Sequence, residues 1–270
     1  MPELPEVETT VRGLAKVLVG QQLVRVEPRR ADLRRPIPVD LRQRMHGARV
    51  TGLSRRAKYG LIDSDRGDTL IFHLGMSGRW RIDPEDIGKH DHLILETGAG
   101  HILALNDPRR FGSLDLIPTA LVAEFAPLAA LGPEPLGEGL SPAYLHAKLN
   151  ARAAPIKALL LDQWVIAGLG NIYVCEALNI ARIAPLRTGG SLRLGEVKRL
   201  IVAIRAVLEA AIEAGGSTLR DYAAPDGELG YFFKQWRVYG RAGEVCPCGG
   251  IVERRIDSGR STFWCPRCQR

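Results

Sequence analysis

The sequence has no apolar run long enough to cross a membrane, and it has no internal repeat or low-complexity segment. Its first residues are acidic and include proline, which is not typical of a secretory signal peptide. Cysteine is almost absent before residue 246, where Cys175 is the single example. We therefore expect a cytoplasmic globular protein without a membrane partner, whose 270 residues form one large domain or two smaller ones.

Basic residues outnumber acidic ones, with 37 Lys and Arg against 30 Asp and Glu, which gives a formal charge of +7 and a pI near 9.4. The excess is concentrated at the C-terminus, where residues 231–270 carry eight basic and three acidic side chains, a net of +5. Such a surface suits a polyanionic partner. Charge alone does not separate this interpretation from a basic surface that binds nothing.

Cysteine reappears in the last 25 residues, which hold four of the five cysteines of the chain. The four are Cys246, Cys248, Cys265 and Cys268. In a reducing compartment such a cluster favours a metal site over disulfides. Cys175, by contrast, is expected to be a small buried residue.

The N-terminal half predicts a mainly β domain. Short strands are expected at residues 22–27, 49–53, 58–62, 69–74, 92–96 and 101–105, with hairpin connections at 63–67 and 97–100. Strands at this spacing indicate an antiparallel β-sandwich. A helix precedes them from Leu4, because apolar residues recur at helical spacing as far as Leu18, and we expect it to pack at one edge of the sandwich.

The C-terminal half predicts helices followed by a hairpin. Helices are expected at 142–149, 156–161 and 172–178, and in a long segment with apolar residues from 197 to 211. A hairpin of residues 251–256 and 261–264 places Arg260 at its tip, where it can enter a nucleic-acid groove. The predicted fold class is α+β in two domains. The bounds are 1–130 for the sandwich, 131–140 for a Pro/Gly-rich linker, 141–232 for the helical domain and 233–270 for the cysteine hairpin.

The opening residues fit a covalent nucleophile. If Met1 is removed, Pro2 presents a secondary amine, which can attack an electrophilic carbon and form an iminium ion. The helix that follows disfavours the protonated amine through its dipole, and Glu3 is the nearest group that can move a proton. The alternative is that Pro2 is only a first-turn helix residue and that the glutamates complement the dipole.

Seven segments, taken in order along the chain, resemble one known family. They are 2–9 (PELPEVET), 55–59 (RRAKY), 73–78 (HLGMSG), 89–92 (KHDH), 107–112 (DPRRFG), 170–173 (GNIY) and the C-terminal four-cysteine unit. The family is that of the bacterial formamidopyrimidine-DNA glycosylases, which excise 8-oxoguanine and ring-opened purines. The resemblance covers the whole chain and implies a helix-two-turn-helix domain, a zinc-finger hairpin, and strand cleavage after base excision.

The resemblance assigns catalytic roles to four residues. Pro2 attacks C1′ of the damaged nucleotide, and Glu3 is the acid/base for base loss and sugar ring opening. Lys58 is the proton donor for β-elimination, and Arg260 is assigned to δ-elimination. Because arginine stays charged, we expect Arg260 to support the leaving phosphate electrostatically. Without the resemblance, Lys58 is best interpreted as a surface charge beside Tyr59.

The resemblance also assigns DNA contacts. A flipped nucleotide leaves a gap in the duplex, and three residues match the positions that fill it: Met76, Arg109 and Phe111. The alternative for Met76 and Phe111 is core packing. Further contacts with DNA are expected at His90, Arg109, Arg152, Asn171 and Lys157. Exposed amides at the helix start near Asn171 can bind a phosphate, although a glycine turn with Asn171 as the N-cap fits the same residues.

The chain departs from the family at two places. Arg152 stands where a lysine is expected, and both cations suit a phosphate. Cys246 and Cys248 are spaced C-x-C instead of C-x-x-C. Tetrahedral zinc needs its sulfurs about 3.8 Å apart, and residues two apart in an extended segment project to the same side, so this pair can still chelate. We therefore predict one structural zinc held by all four clustered cysteines, with residues 249–250 supplying the turn.

Two other functions stay open. An endonuclease VIII-like glycosylase would remove oxidised pyrimidines with the same Pro-Glu nucleophile, and a non-catalytic protein would bind damaged DNA without cleaving it. The start of the chain and the intact Arg109 and Phe111 favour the purine-directed branch. Retention of Pro2, Glu3 and Lys58 argues against a binder, because binding needs none of them. We expect a monomer whose partner is double-stranded DNA with oxidised bases or abasic sites.

Overall fold

The computed structural model describes residues 2–217, 224–225 and 227–270. Contacts within the chain divide it into two compact units. Unit 1 comprises Met1–Ala129 and Ile212–Phe233, and unit 2 comprises Ala130–Ala211 and Lys234–Arg270.

The segment Ile212–Phe233 belongs to unit 1. The bounds drawn from the sequence group most of it with the helical domain instead. Two hydrogen bonds show how it is attached. Ser217 N–H donates to Glu6 Oε1 at 2.8 Å, and Ile82 N–H donates to Pro225 O at 2.8 Å. These partners are distant in sequence, so a motif-based boundary does not detect them. The linker and domain bounds drawn from the sequence stay a prediction.

Unit 1 contains a β-sandwich of two four-stranded antiparallel sheets, as the sequence predicts. Its strands are β1 (Leu23–Pro28), β2 (Val50–Arg56), β3 (Tyr59–Ser64), β4 (Asp68–His73), β5 (Arg79–Ile82), β6 (Asp91–Thr97), β7 (Ile102–Asn106) and β8 (Ser113–Pro118). One sheet has the order β1-β6-β7-β5 and the other β2-β3-β4-β8. The helices are α1 (Leu4–Leu18), α2 (Leu41–Met45) and α3 (Ala126–Ala129), with a 3₁₀ turn at Thr119–Glu124.

Helix α1 packs where it was expected, at the edge of the sandwich. It contacts β2 and β5, which are edge strands of the two sheets. Its apolar stripe, which includes Val7, Val11 and Leu14, enters the same buried core as Phe72 and Trp80. The first turn of the helix is therefore anchored in the core of the sandwich through Val7.

The local pattern does not predict two of the strands, β5 and β8. Each pairs with a strand distant in sequence: β5 with β7 through Trp80 and Leu105, and β8 with β4 through Leu70 and Leu116. Strand β5 has only four residues and two of them are arginine. The strand conformation of β5 and β8 depends on pairing within the completed sheet. The local hydrophobic periodicity of the sequence does not reveal this pairing.

Unit 2 contains helices and one hairpin. The helices are α4 (Pro142–Leu149), α5 (Ile156–Leu161), α6 (Asn171–Ile180) and α7 (Leu194–Glu213), whose last two residues are grouped with unit 1. The hairpin consists of β9 (Glu253–Asp257) and β10 (Arg260–Trp264). Its two turn residues, Ser258 and Gly259, both have positive φ, as a type I′ turn requires. Arg260 is therefore the first residue of β10, paired with Asp257, and lies beside the tip rather than at it.

A buried carboxylate ties the segment before the hairpin to α6. Glu176 accepts the backbone N–H groups of Arg237, Val238 and Tyr239 at 2.8, 3.0 and 2.8 Å. Burial raises the pKa of Glu176, although the three N–H donors favour its charged form. Arg237 also donates through Nε to Asn179 Oδ1 at 3.0 Å. The chain therefore enters the cysteine region in one fixed orientation.

Gly60 is a position where the sandwich core has no room for a side chain. A Cβ there would lie 2.1 Å from Phe72 Cζ, and Phe72 is buried against Trp80. We expect Gly60→Ala to lower the free energy of unfolding by about 1–3 kcal/mol because the ring must leave its place. Denaturant unfolding measures this change.

Gly52 on the neighbouring strand β2 provides a matched control, because its Cβ would meet only Asp63 Oδ2, at 3.9 Å. Gly52→Ala should leave the free energy of unfolding within about 0.5 kcal/mol of the parental value. Equal losses in the two variants would mean that glycine flexibility, not the close approach of Phe72, decides stability here.

Candidate functional site

The head of α1 holds the predicted nucleophile and its neighbour. Pro2 and Glu3 are both buried, and Glu3 is the N-cap residue of α1. Its backbone N–H donates to Glu6 Oε2 at 2.8 Å, while Glu6 Oε1 accepts from Ser217. Glu6, which the sequence did not single out, therefore fixes the backbone at Glu3. Met1 lies outside the described residues.

Lys58 lies in the two-residue connection between β2 and β3, next to Ala57, whose φ is +52°. Its side chain is only 9% exposed, so the interpretation as a solvated surface charge is wrong. Burial, together with the charge of Lys58, lowers the pKa of His73 to about 4. His73 is therefore neutral at physiological pH, and its Nδ1 accepts Gly75 N–H at 3.0 Å. That bond assigns the ring proton to Nε2, which is a donor without charge.

His73 is a residue that sequence analysis missed. It lies within the segment HLGMSG, which is one of those that carry the resemblance. Because His73 is also the last residue of β4, the sequence did not distinguish a functional histidine from an ordinary strand residue. Its ring lies 4.8 Å from that of Tyr59, which follows Lys58. Unit 1 thus places one charged and one neutral nitrogen donor near each other.

The three void-filling candidates lie on two loops of unit 1, and each of the three is exposed. Met76 is 38% exposed and Phe111 is 44% exposed, so core packing, the alternative for both, is wrong. The guanidinium carbon of Arg109 lies 4.7 Å from the centroid of the Phe111 ring, a cation–π contact. The loops therefore present an apolar thioether, a ring and a cation to solvent.

Two further predicted DNA contacts, His90 and Arg152, differ in their exposure. His90 is half-buried before β6, its carbonyl accepts Asp107 N–H at 2.9 Å, and its ring lies 6.4 Å from that of His92. Arg152 is exposed, shortly after the end of α4 in unit 2. The structure thus leaves Arg152 accessible and holds His90 by its backbone.

In unit 2, Asn171 and Lys157 converge on the strand that carries Arg260. Asn171 Nδ2 donates to Ser261 O at 2.9 Å, and Lys157 Nζ donates to the same oxygen at 3.0 Å and to Thr262 Oγ1 at 2.7 Å. Lys157 is 4% exposed, and burial lowers its pKa. Its ammonium therefore supports the hairpin, whereas Arg260 is exposed.

The helix start at Asn171 also decides between two interpretations. The N-cap residue of α6 is Gly170, and Asn171 is the first residue of the helix. The interpretation of Asn171 as the N-cap is therefore wrong. Its side chain is available for other contacts and reaches β10.

The four clustered cysteines fit a tetrahedral metal ion. Their sulfur atoms all lie within 4.8 Å of one another, with 3.9 Å between Cys246 and Cys268 and 3.5 Å between Cys248 and Cys265. These separations bracket the value of about 3.8 Å for a zinc–thiolate tetrahedron. Cys175 is buried and is not one of the four, as predicted.

The two glycines that follow the shortened C-x-C pair form the turn next to it. Gly249 has φ +80°, and its N–H donates to Cys246 O at 2.8 Å. Gly250 N–H lies 3.4 Å from Cys248 Sγ and lowers the pKa of that thiol to about 7. The turn predicted one step later in the chain therefore exists. A Cβ on Gly250 would lie 2.7 Å from Cys265 Sγ, so only glycine fits there.

Comparison with known proteins identifies the family. One family model, the formamidopyrimidine-DNA glycosylase N-terminal domain, matches residues 1–114, and a second, the formamidopyrimidine-DNA glycosylase H2TH domain, matches residues 131–223. The chain belongs to the formamidopyrimidine-DNA glycosylase family. Members of this DNA glycosylase family act in base excision repair, and the helix-two-turn-helix domain implied by the motifs is confirmed.

Individual relatives agree along the whole chain. Formamidopyrimidine-DNA glycosylases of Rhizorhabdus wittichii and Novosphingobium aromaticivorans are each 67% identical over 270 residues, which is 100% of both chains compared. The crystal structure of the Thermus thermophilus MutM (Fpg) protein is 43% identical, with a TM-score of 0.90 over 99% of this chain and 98% of that one. Lactococcus lactis Fpg in complex with DNA containing an abasic site is 36% identical, with a TM-score of 0.92 over 100% of both. None of the described helices is long and apolar enough to cross a membrane.

Proposed function

We propose that this chain is a bifunctional DNA glycosylase and AP lyase that excises oxidised purines from double-stranded DNA. The observation that carries the proposal is the head of α1, where Pro2 and Glu3 are held at a helix N-terminus in a member of this family. Solved relatives from Lactococcus lactis are complexes with DNA that contains Fapy-dG or an abasic site, which supports this substrate class.

The first step is attack by Pro2. After removal of Met1, its secondary amine forms a bond to C1′ of the damaged nucleotide, and the glycosidic bond to the base breaks. The dipole at the head of α1 favours the neutral amine needed for attack. Glu3 transfers protons during base loss and opening of the sugar ring. The hydrogen bond from Glu3 N–H to Glu6 supports this role by fixing the position of the Glu3 backbone.

Strand cleavage follows from the iminium that links Pro2 to C1′. The iminium acidifies the C2′ proton, whose loss expels the 3′ phosphate by β-elimination. A second elimination expels the 5′ phosphate, and water then releases the sugar fragment from Pro2. Lys58 donates a proton in the first elimination, and its burial strengthens its electrostatic effect. Arg260, which stays charged, stabilises the phosphate that leaves in the second.

Recognition requires that the damaged nucleotide leave the base stack, at a cost of about a few kcal/mol. Met76, Arg109 and Phe111 fill the gap, and their exposure supports this role. His90, Arg109 and Arg152 bind DNA, and Asn171 contacts a phosphate. Lys157 acts on DNA through the hairpin, because both of its hydrogen bonds go to β10.

We further propose that the cysteine cluster holds one structural zinc ion through Cys246, Cys248, Cys265 and Cys268. When bound, the ion crosslinks the two ends of the hairpin region. Asn179 supports the site, since its Nδ2 lies 3.9 Å from Cys246 Sγ and 3.8 Å from Cys268 Sγ. The ion has no role in the chemical steps.

The nucleophile is tested by blocking the amine of Pro2. An N-terminal extension that cannot be removed should reduce excision of 8-oxoguanine, and cross-linking to it with borohydride, by on the order of 10³-fold or more, because the iminium cannot form. Pro2→Gly replaces the secondary amine with a primary amine, which can still condense with C1′, and should retain part of the lyase activity. Thymine glycol in a parallel oligonucleotide separates the purine-directed enzyme from a pyrimidine-directed one. Undiminished cross-linking of the extended protein would exclude Pro2 as nucleophile.

Glu3→Gln separates binding from chemistry. It should bind damaged duplex within about twofold of the parental affinity, and should excise 8-oxoguanine about 10²–10⁴-fold more slowly, since the proton transfer is lost. Fluorescence anisotropy and single-turnover excision measure the two quantities. Glu85→Gln, in an exposed loop of the same unit, is the control and should match the parent in both. Excision by Glu3→Gln at the parental rate would contradict the acid/base role.

The metal is tested by elemental analysis of protein purified without chelator, which should contain one zinc per chain. Cys248→Ser should lower zinc affinity at least about tenfold and weaken DNA binding, because the hairpin loses its crosslink. Cys175→Ala removes a buried cysteine outside the cluster and should keep the zinc. Metal-free protein with full DNA affinity and strand cleavage would show that the C-x-C cluster works without the ion.

A further inference from the structure

Asp107 follows β7 directly and is the first residue of one of the two loops that carry the void-filling residues. We define loop A as residues 74–78 and loop B as residues 107–112. The side chain of Asp107 is 1% exposed. Its Oδ1 accepts the hydroxyl of Ser77 in loop A at 2.7 Å, and its Oδ2 accepts Gly112 N–H in loop B at 2.8 Å. One carboxylate therefore joins the two loops.

The backbone of Asp107 is held as firmly as its side chain. Its N–H donates to His90 O, and its carbonyl lies 2.9 Å from His92 Nε2. Within loop B, Arg110 N–H donates to Asp107 O at 3.1 Å. These hydrogen bonds fix the backbone from which the carboxylate extends.

Loops A and B also touch directly. Arg109 N–H in loop B donates to Ser77 Oγ in loop A at 3.3 Å, so this hydroxyl bonds to both Asp107 and Arg109. Gly75 has φ +62°, and a Cβ on it would lie 2.4 Å from the carbonyl carbon of Phe111. The backbones of the two loops are therefore in contact at Gly75, which precedes Met76, and at Phe111.

We propose that Asp107 is a positioning residue that assembles loops A and B into one preformed wedge. Met76, Arg109 and Phe111 then enter the base stack together instead of being ordered one by one after the nucleotide has left. This inference rests on the proposed function and deepens it. The ordering of the three side chains is completed on folding, so it does not add to the barrier for base flipping.

The clamp favours a carboxylate over an amide. It has two donors to satisfy, one hydroxyl and one amide, and an ionised carboxylate supplies two acceptors. An asparagine would supply one acceptor, and its NH₂ group would have to donate to Ser77 Oγ, which already accepts Arg109 N–H; the hydroxyl proton of Ser77 would then lose its present partner. Asp107→Asn therefore keeps the size of the side chain and weakens the Ser77 side of the clamp.

The test compares two substrates with different needs. Excision of 8-oxoguanine from a duplex requires the wedge, whereas borohydride trapping on a single-stranded oligonucleotide with an abasic site requires only the iminium chemistry. Asp107→Asn and Gly75→Ala should each slow duplex excision by about 10–100-fold, since misplacement of about 1 Å has effects of this size. Both should trap on the single strand within about twofold of the parent.

Gly67 provides the control for backbone strain. It lies in the β3–β4 turn of the same unit with φ +77°, and a Cβ on it would meet nothing within 4 Å. Gly67→Ala should match the parent on both substrates. If Asp107→Asn does not fold, Ser77→Ala replaces it; this variant breaks the contact to Oδ1 but leaves the bond to Gly112.

A fluorescent 2-aminopurine beside the lesion reports stack opening independently of chemistry. Asp107→Asn should give a slower or smaller fluorescence rise on duplex binding than the parent. Parental duplex excision by Asp107→Asn would overturn the inference. Equal losses on both substrates would also overturn it, because they would show a general structural role. A parental protein that neither excised nor trapped would overturn the proposed function and this inference with it.

Discussion

Buried carboxylates that accept N–H and O–H groups from distant segments hold the functional parts of both units. Taking a charged carboxylate out of water is costly unless its oxygens are hydrogen-bonded. Glu6 accepts the amides of Glu3 and Ser217, and Asp107 accepts Ser77 and Gly112. Because each carboxylate must keep its partners to stay buried, each forces the segments it joins into one arrangement.

The proposed chemistry depends on this rigidity. Glu3 can serve as an acid/base only if its backbone stays at the head of α1, where Glu6 holds it. Burial has a second effect on the same unit, since it keeps Lys58 out of bulk water and, with the charge of Lys58, keeps His73 neutral. One positive charge and one neutral donor therefore lie near each other, a combination that bulk solvent would not maintain.

In unit 2, too, buried and half-buried polar side chains hold segments that are distant in sequence, here around the hairpin. Glu176 fixes the residues that lead into the cysteine region, and Lys157 and Asn171 fix the strand that begins at Arg260. The small core beneath the hairpin includes Cys246 and Cys265 beside Val238, Val252 and Phe263. The residues that could bind a metal are therefore also core residues, so metal binding and folding of this region are coupled.

Much of the candidate site could be predicted from the sequence. The motifs gave the family, and the helical periods predicted residues 142–149 and 156–161 with the bounds that α4 and α5 have. The turn after Cys248 was predicted from its glycines. The environment of individual side chains was harder to predict. Lys58 has the local sequence of a surface residue and is buried, and Lys157 has that of a phosphate ligand although its ammonium is hydrogen-bonded to β10.

The sequence by itself determined the features that depend on neighbours along the chain: the apolar stripe of α1, the helices of unit 2, the hairpin turns and the cysteine spacing. The tertiary structure decided the features that depend on distant partners. Strand β8 forms because β4 lies beside it, and Glu6 is a structural anchor because Ser217, 211 residues away, donates to it. Local periodicity reports which face of an element is apolar, but it does not report which distant amide will satisfy a buried carboxylate. That choice is made only when the chain has folded.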